Sequence, residues 1–206
     1  DLEAHPFLAR LGPDALDRAT TAAGIAARLV DRRFARRTLG HLLLDQAFVA
    51  GIGNYLRSDI LHAAGLRAGD RPVDLGRDAI ARLAHAILAL PRQSYRTAGV
   101  TNDALRERRL EAEGLSFEAR RFLVYAREGR PCWTCGTPIR RVDAGGRGWF
   151  YCPRCQPASR ARRRWPSRMP GRASSRRPTR GVQGRWSGWG SPRSRCVPGA
   201  ADWPLP

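Results

Sequence analysis

Cys132-Trp133-Thr134-Cys135 and Cys152-Pro153-Arg154-Cys155, two Cys-x-x-Cys pairs with 16 residues between them, decide how the later part of this 206-residue chain is built. Four thiolates at this spacing complete the tetrahedral shell of one Zn²⁺ ion and leave no position open for water. The spacing therefore predicts a single structural zinc with Cys132, Cys135, Cys152 and Cys155 as ligands. Residues 138–143, the turn Ala144-Gly145-Gly146 and residues 147–151 read as two short strands joined by glycines. The result is a zinc ribbon, a metal-stapled hairpin that carries Arg140, Arg141 and Arg147. A redox dithiol would need a βαβ pattern beside one pair, and a disulfide framework would need a secreted chain, so zinc is the reading taken. Cys196 stands unpaired in a low-complexity stretch and is read as an incidental thiol.

Charge narrows the partners. All 37 basic residues are arginine, and the formal net charge is +19. Arginine favours bidentate contact with phosphate, which points to nucleic acid. Absence of lysine excludes a lysine Schiff base or lysine proton shuttle within the chain. Residues 1–156 hold 25 arginines against 17 acidic groups, whereas residues 157–206 hold 12 arginines and one acid, Asp202. That second stretch alternates Arg, Pro, Ser, Gly and isolated Trp without a helical or strand period, so it is expected to be a disordered basic tail. No apolar run approaches the roughly 20 residues that span a bilayer.

Upstream of the ribbon the periodicity is helical. Thr20 or Thr21 can cap a helix over 22–30, and Thr38 can cap a second, largely buried helix through 42–49. A third starts near Asn54 and ends at Gly65, a helix-terminating glycine. A fourth, capped by Asp74, is expected over 75–90 with Ile80, Leu83, Ala84, Ile87 and Leu88 on one stripe, stopping before Pro91. Residues 93–113 read as a long polar loop with some helix. The fold class is mainly α: a helix–two-turn–helix bundle, a four-cysteine zinc-ribbon β-hairpin, then the basic tail. The expected divisions are a linker over 1–18, the helical domain over 19–125, the ribbon over 126–156 and the tail over 157–206.

Gly51-Ile52-Gly53-Asn54 is the second informative site. Two glycines permit a sharp turn between helices, and backbone N–H groups at the start of the next helix favour an anion, to which Asn54 can add its amide. The competing reading is a simple bend with Asn54 as a cap.

The segment Leu42-Leu43-Leu44-Asp45-Gln46-Ala47-Phe48-Val49-Ala50-Gly51-Ile52-Gly53-Asn54-Tyr55-Leu56-Arg57, followed by Arg147-Gly148-Trp149-Phe150-Tyr151-Cys152-Pro153-Arg154-Cys155-Gln156, resembles the Fpg/Nei family of DNA glycosylases, most nearly its endonuclease VIII branch. His5-Pro6-Phe7-Leu8-Ala9-Arg10-Leu11-Gly12-Pro13-Asp14 resembles that family's interdomain segment, and Leu90-Pro91-Arg92-Gln93-Ser94-Tyr95 a later landmark, so the likeness runs in order over residues 1–156. It implies a bifunctional DNA glycosylase and AP lyase of base-excision repair. Such an enzyme flips an oxidised base, here a pyrimidine, out of the duplex before excising it and cutting the strand.

In that family the nucleophile is an N-terminal proline, assisted by the adjacent glutamate and a lysine. This chain opens Asp1-Leu2-Glu3 and has no lysine, so it is expected to be the DNA-binding, carboxyl-terminal part of such an enzyme and inactive alone. The resemblance assigns Arg10 to DNA contact, and Gly51, Gly53 and Asn54 to the phosphate-binding turn. Arg147 is assigned to the same phosphate and, as a catalytic group, to proton donation in δ-elimination. A guanidinium rarely releases a proton, which favours the phosphate role. Asp59 falls where the family commonly has Glu. The implied partner is damaged double-stranded DNA, with no membrane, bound by a monomer in a bacterial cytoplasm. A nucleic-acid-binding module without enzymatic history, or a zinc ribbon that recruits proteins, would be the alternatives.

Overall fold

The computed structural model describes residues 8–144 and 147–158. The expected tail beyond residue 158 and the opening of the linker lie outside the described residues.

Helices form where a cap precedes apolar spacing. Helix α1, Ala22–Val30, starts at Thr21, whose Oγ1 accepts the Gly24 N–H at 3.1 Å, and buries Ile25 and Leu29. Helix α3, Asn54–Ala64, ends at Gly65 in the left-handed region at φ 70°, as its glycine predicts. Helix α5, Ala104–Ala112, lies inside the stretch expected to be mostly loop, where Asp103 accepts the Arg106 N–H at 2.9 Å. A short helix α6, Phe117–Arg120, follows.

Two helices depart from the expected bounds. Helix α2 is only Leu39–Leu42, and the helix expected over 42–49 does not form. Asp45 accepts the Ala47 N–H at 2.9 Å, and the Gln46 amide donates to the carbonyls of Leu44 and Ile52 at 3.3 and 3.1 Å. These side-chain bonds outcompete the helical ladder. Helix α4 is Arg77–Arg96, capped by Gly76 rather than Asp74, and it continues through Pro91. Asp74 instead ends a 3-10 turn, Pro72–Asp74. An interior proline costs about 3 kcal/mol. Here the turn beyond it is anchored: Arg92 donates to the carbonyls of Ala15, Asp17 and Thr20, and Ser94 bonds Tyr55 at 3.0 Å.

The main core lies between α1, α3 and α4, where Ile25, Leu29, Ile60, Leu61, Leu83 and Ile87 are fully buried. Strands β1, Arg140–Ala144, and β2, Arg147–Tyr151, pair antiparallel with Val142 opposite Trp149 and Ala144 opposite Arg147. Inward alternation along β2 delivers Trp149 and Tyr151 into the helical core. A smaller cluster of Val124, Ile139, Cys132 and Cys152 forms the interior of the ribbon.

Candidate nucleic-acid interface

Gly51 adopts φ 89°, a region that side-chain-bearing residues rarely enter, so this glycine is a conformational requirement. Its N–H donates to Gln46 Oε1 at 3.0 Å, while the Gln46 amide holds the Ile52 carbonyl. Gln46 is thus an internal brace of the turn, and the Gly51 N–H is already occupied. Gly53 differs: its backbone is extended, and nothing lies within 4 Å of where a Cβ would stand. It leaves the approach to the first turn of α3 open. There the N–H groups of Asn54, Tyr55 and Leu56 precede the first helical bond and present the positive end of the helix.

The hairpin meets α3 at this same end. Asn54 Nδ2 donates to the Gly148 carbonyl at 3.0 Å, and Arg57, one turn along the helix, donates to the same carbonyl at 3.3 Å. Ser58 Oγ accepts the Phe150 N–H at 3.3 Å. A Cβ at Gly148 would sit 2.7 Å from Arg141 Nε, the far end of an exposed side chain that can move aside. The exposed Arg147 precedes Gly148 directly, so the α3 terminus and Arg147 share one corner of the molecule. Arg57 is buried, and its pKa is lowered by that burial and by the neighbouring Arg147 charge. A buried cation therefore backs an exposed one.

Arg10 is exposed in a 3-10 turn, Leu8–Arg10. The chain after it runs along the Gln46–Gly51 turn: Gly12 donates to the Gln46 carbonyl at 2.8 Å, and Ala50 donates to the Pro13 carbonyl at 3.0 Å. Gly12 admits this close approach, because a Cβ would lie 2.6 Å from two carbonyl oxygens.

Asp59 is fully buried on α3 and reaches the segment entering the ribbon. Oδ1 accepts the N–H groups of Val124 and Tyr125 at 2.9 and 3.1 Å, and Oδ2 accepts Leu123 N–H at 3.1 Å and the Thr101 hydroxyl. Burial pushes its pKa up against the pull of these donors. Three backbone N–H groups and a hydroxyl surrounding the two oxygens offset that burial in favour of the carboxylate. Arg57 and Asp59 acquire roles only through partners distant in sequence, whereas Gln46 acts on its own turn, on Leu44, Gly51 and Ile52. The one local signal was that a charged pair, Arg57 and Asp59, interrupts a buried helix.

The four cysteines converge. Their sulfurs all lie within 4.8 Å of one another, with Cys135 and Cys152 at 3.4 Å and Cys132 and Cys155 at 3.9 Å. Tetrahedral zinc with Zn–S bonds of about 2.3 Å needs sulfurs ~3.8 Å apart, so the set fits the ion. Each knuckle closes with a backbone bond of 2.9 Å, Gly136 to Cys132 and Gln156 to Cys152. A hydrogen bond involving Thr137 lowers Cys135 to about 6, whereas burial, reinforced by neighbouring thiols, pushes Cys155 up. A dication would stabilise all four as thiolates.

Comparison with known proteins bears on both halves. Residues 11–104 match the formamidopyrimidine-DNA glycosylase H2TH domain, and residues 129–158 match the zinc finger found in FPG and IleRS. The four-cysteine cluster is accordingly a structural zinc site. Endonuclease 8 of Enterobacter sp. (strain 638) is 44% identical over 152 residues, covering 74% of this chain and 54% of that protein. Endonuclease 8 of Escherichia coli (strain K12 / DH10B) is 42% identical over 155 residues, covering 75% and 56%. The chain thus spans about half the length of the curated relatives it matches. Among solved structures, the MutM (Fpg) protein of Thermus thermophilus aligns with TM-score 0.60 and 33% identity over 76% of this chain and 57% of that one. MutM in complex with carbocyclic 8-oxo-G containing DNA aligns with TM-score 0.60 at 22% identity over 75% and 55%, a likeness of fold. Two family domains in order, and relatives above 40% identity over 74–75% of the chain, place it in the Fpg/Nei family, on its endonuclease 8 side.

Proposed function

We propose that this chain is the DNA-binding part of a base-excision-repair DNA glycosylase and AP lyase, and that it grips the sugar–phosphate strand beside an oxidised base. The observation that carries this reading is the Asn54–Gly148 hydrogen bond of 3.0 Å, which joins the open terminus of α3 to the strand position next to Arg147. Helix α2, the turns after it and α3 act as the helix–two-turn–helix element. The first-turn N–H groups of α3, the remaining Asn54 amide hydrogen and the Arg147 guanidinium converge on one phosphate; Arg10 takes another along the same strand.

Support comes from relatives: the aligned MutM and Lactococcus lactis Fpg structures are complexes with 8-oxo-G-containing and abasic-site DNA. Preference for oxidised pyrimidines follows from the nearer likeness to endonuclease 8. With no lysine in the chain, we assign it binding and not base excision, as a monomer, and Arg147 a charge-holding role in strand cleavage.

Titration of an abasic-analogue duplex from 50 to 200 mM salt tests the assignment. Other arginines contribute to the total slope, so the difference made by Arg147→Ala decides: with one phosphate fewer neutralised, the log–log slope should flatten by about 1 and binding should weaken at every sequence. An unchanged slope in R147A removes Arg147 from the interface and favours a ribbon that recruits proteins.

A further inference from the structure

Arg127 is buried beside the first knuckle, and no carboxylate lies within salt-bridge distance of it among the described residues. Its terminal nitrogens donate to the carbonyls of Leu123 and Pro131, each at 2.8 Å, and Nε has no partner. The guanidinium stacks 3.6 Å from the centre of the Trp133 ring, whose Nε1 donates to the Phe122 carbonyl at 3.1 Å. Pro131 and Trp133 flank Cys132, so Arg127 clasps that ligand from both sides. A buried cation costs several kcal/mol unless an opposite charge faces it. Four thiolates around a dication leave two negative charges, and Cys132 is the ligand at which Arg127 meets them, with the Asp59 carboxylate a weaker, more distant attraction.

On α3, buried His62 places Nε2 3.5 Å from Cys132 Sγ. A metal-bound thiolate can only accept, which sets His62 as the Nε2–H tautomer and as donor. We infer that Arg127 and His62 form the outer sphere of the zinc centre: they hold the Cys132 thiolate in place, slow loss of the metal and tie the ribbon to the helix that bears Asn54. Nothing in this assignment depends on DNA binding; it rests on the zinc site alone.

The test follows zinc transfer from the full, zinc-loaded chain to a chromophoric chelator. Outer-sphere partners commonly change metal affinity by about 10- to 100-fold, so H62F and R127M should release zinc at least ~10-fold faster, while H62Q, which keeps an N–H donor, stays close to the parent. Release at the parent rate in H62F and R127M, or release from H62Q as fast as from H62F, overturns the assignment. A second measurement needs no variant. In the parent chain loaded with NMR-active cadmium, scalar coupling between the metal and the His62 Nε2 proton across the N–H···S bond is expected. An unprotonated Nε2, or a protonated one without coupling, contradicts it whatever the folding of the variants.

Discussion

Helices α1, α3 and α4 close around aliphatic side chains, with Ile25, Leu29, Leu83 and Ile87 fully buried, whereas the ribbon has Val124 and Ile139 as its buried aliphatic residues beside the cysteines. One region excludes water by area, at ~25 cal/mol per Å² of apolar surface; the other draws its cohesion from bonds to an ion. They are not independent, because Trp149 and Tyr151 of the hairpin lie in the helical core and Asn54, Arg57 and Ser58 bond the hairpin backbone. The difference shows how a short hairpin with almost no apolar interior can hold Arg147 at a fixed place: the metal secures its base and the helix secures its flank.

The largest effect expected is from metal removal. Structural zinc supplies roughly 10 kcal/mol or more of apparent folding energy in small metal domains. Chelation should release residues 129–158 and the near-ultraviolet signal of Trp149 and Tyr151, while α1 and α4 keep their helical circular dichroism. Loss of all helical signal would merge the two regions into one metal-dependent unit. Smaller is Leu83→Ala, which opens a cavity where α4 meets the core and should cost about 2–5 kcal/mol in denaturant unfolding without releasing zinc. Zinc loss in that variant would break the contrast from the helical side. Thr21→Ala removes only the α1 cap and should cost about 1 kcal/mol, leaving DNA affinity unchanged.

The same contrast explains what could be read in advance. Ligand spacing is local, so all four cysteines and the two strands were legible, as were α1 and α3 from Thr21 and Gly65. The 42–49 segment misled because Asp45 and Gln46 satisfy backbone groups that a helix would otherwise use. Pro91 misled because the bonds that carry α4 past it come from Arg92 to residues more than seventy positions earlier. Asn54 was legible as a polar group at a helix start, but its use of one amide hydrogen on Gly148, 94 positions away, was not. For the same reason the roles of Arg57 and Asp59 could not be read from the sequence.

The central claim is that the start of α3 and the hairpin base act as one grip on a single strand. A double-mutant cycle on abasic-analogue duplex affinity, with N54A, R147A and the pair at fixed salt, measures that link directly. The account predicts non-additive losses, with a coupling of about 0.5–3 kcal/mol; losses that add within roughly 0.5 kcal/mol would show two independent contacts and contradict it.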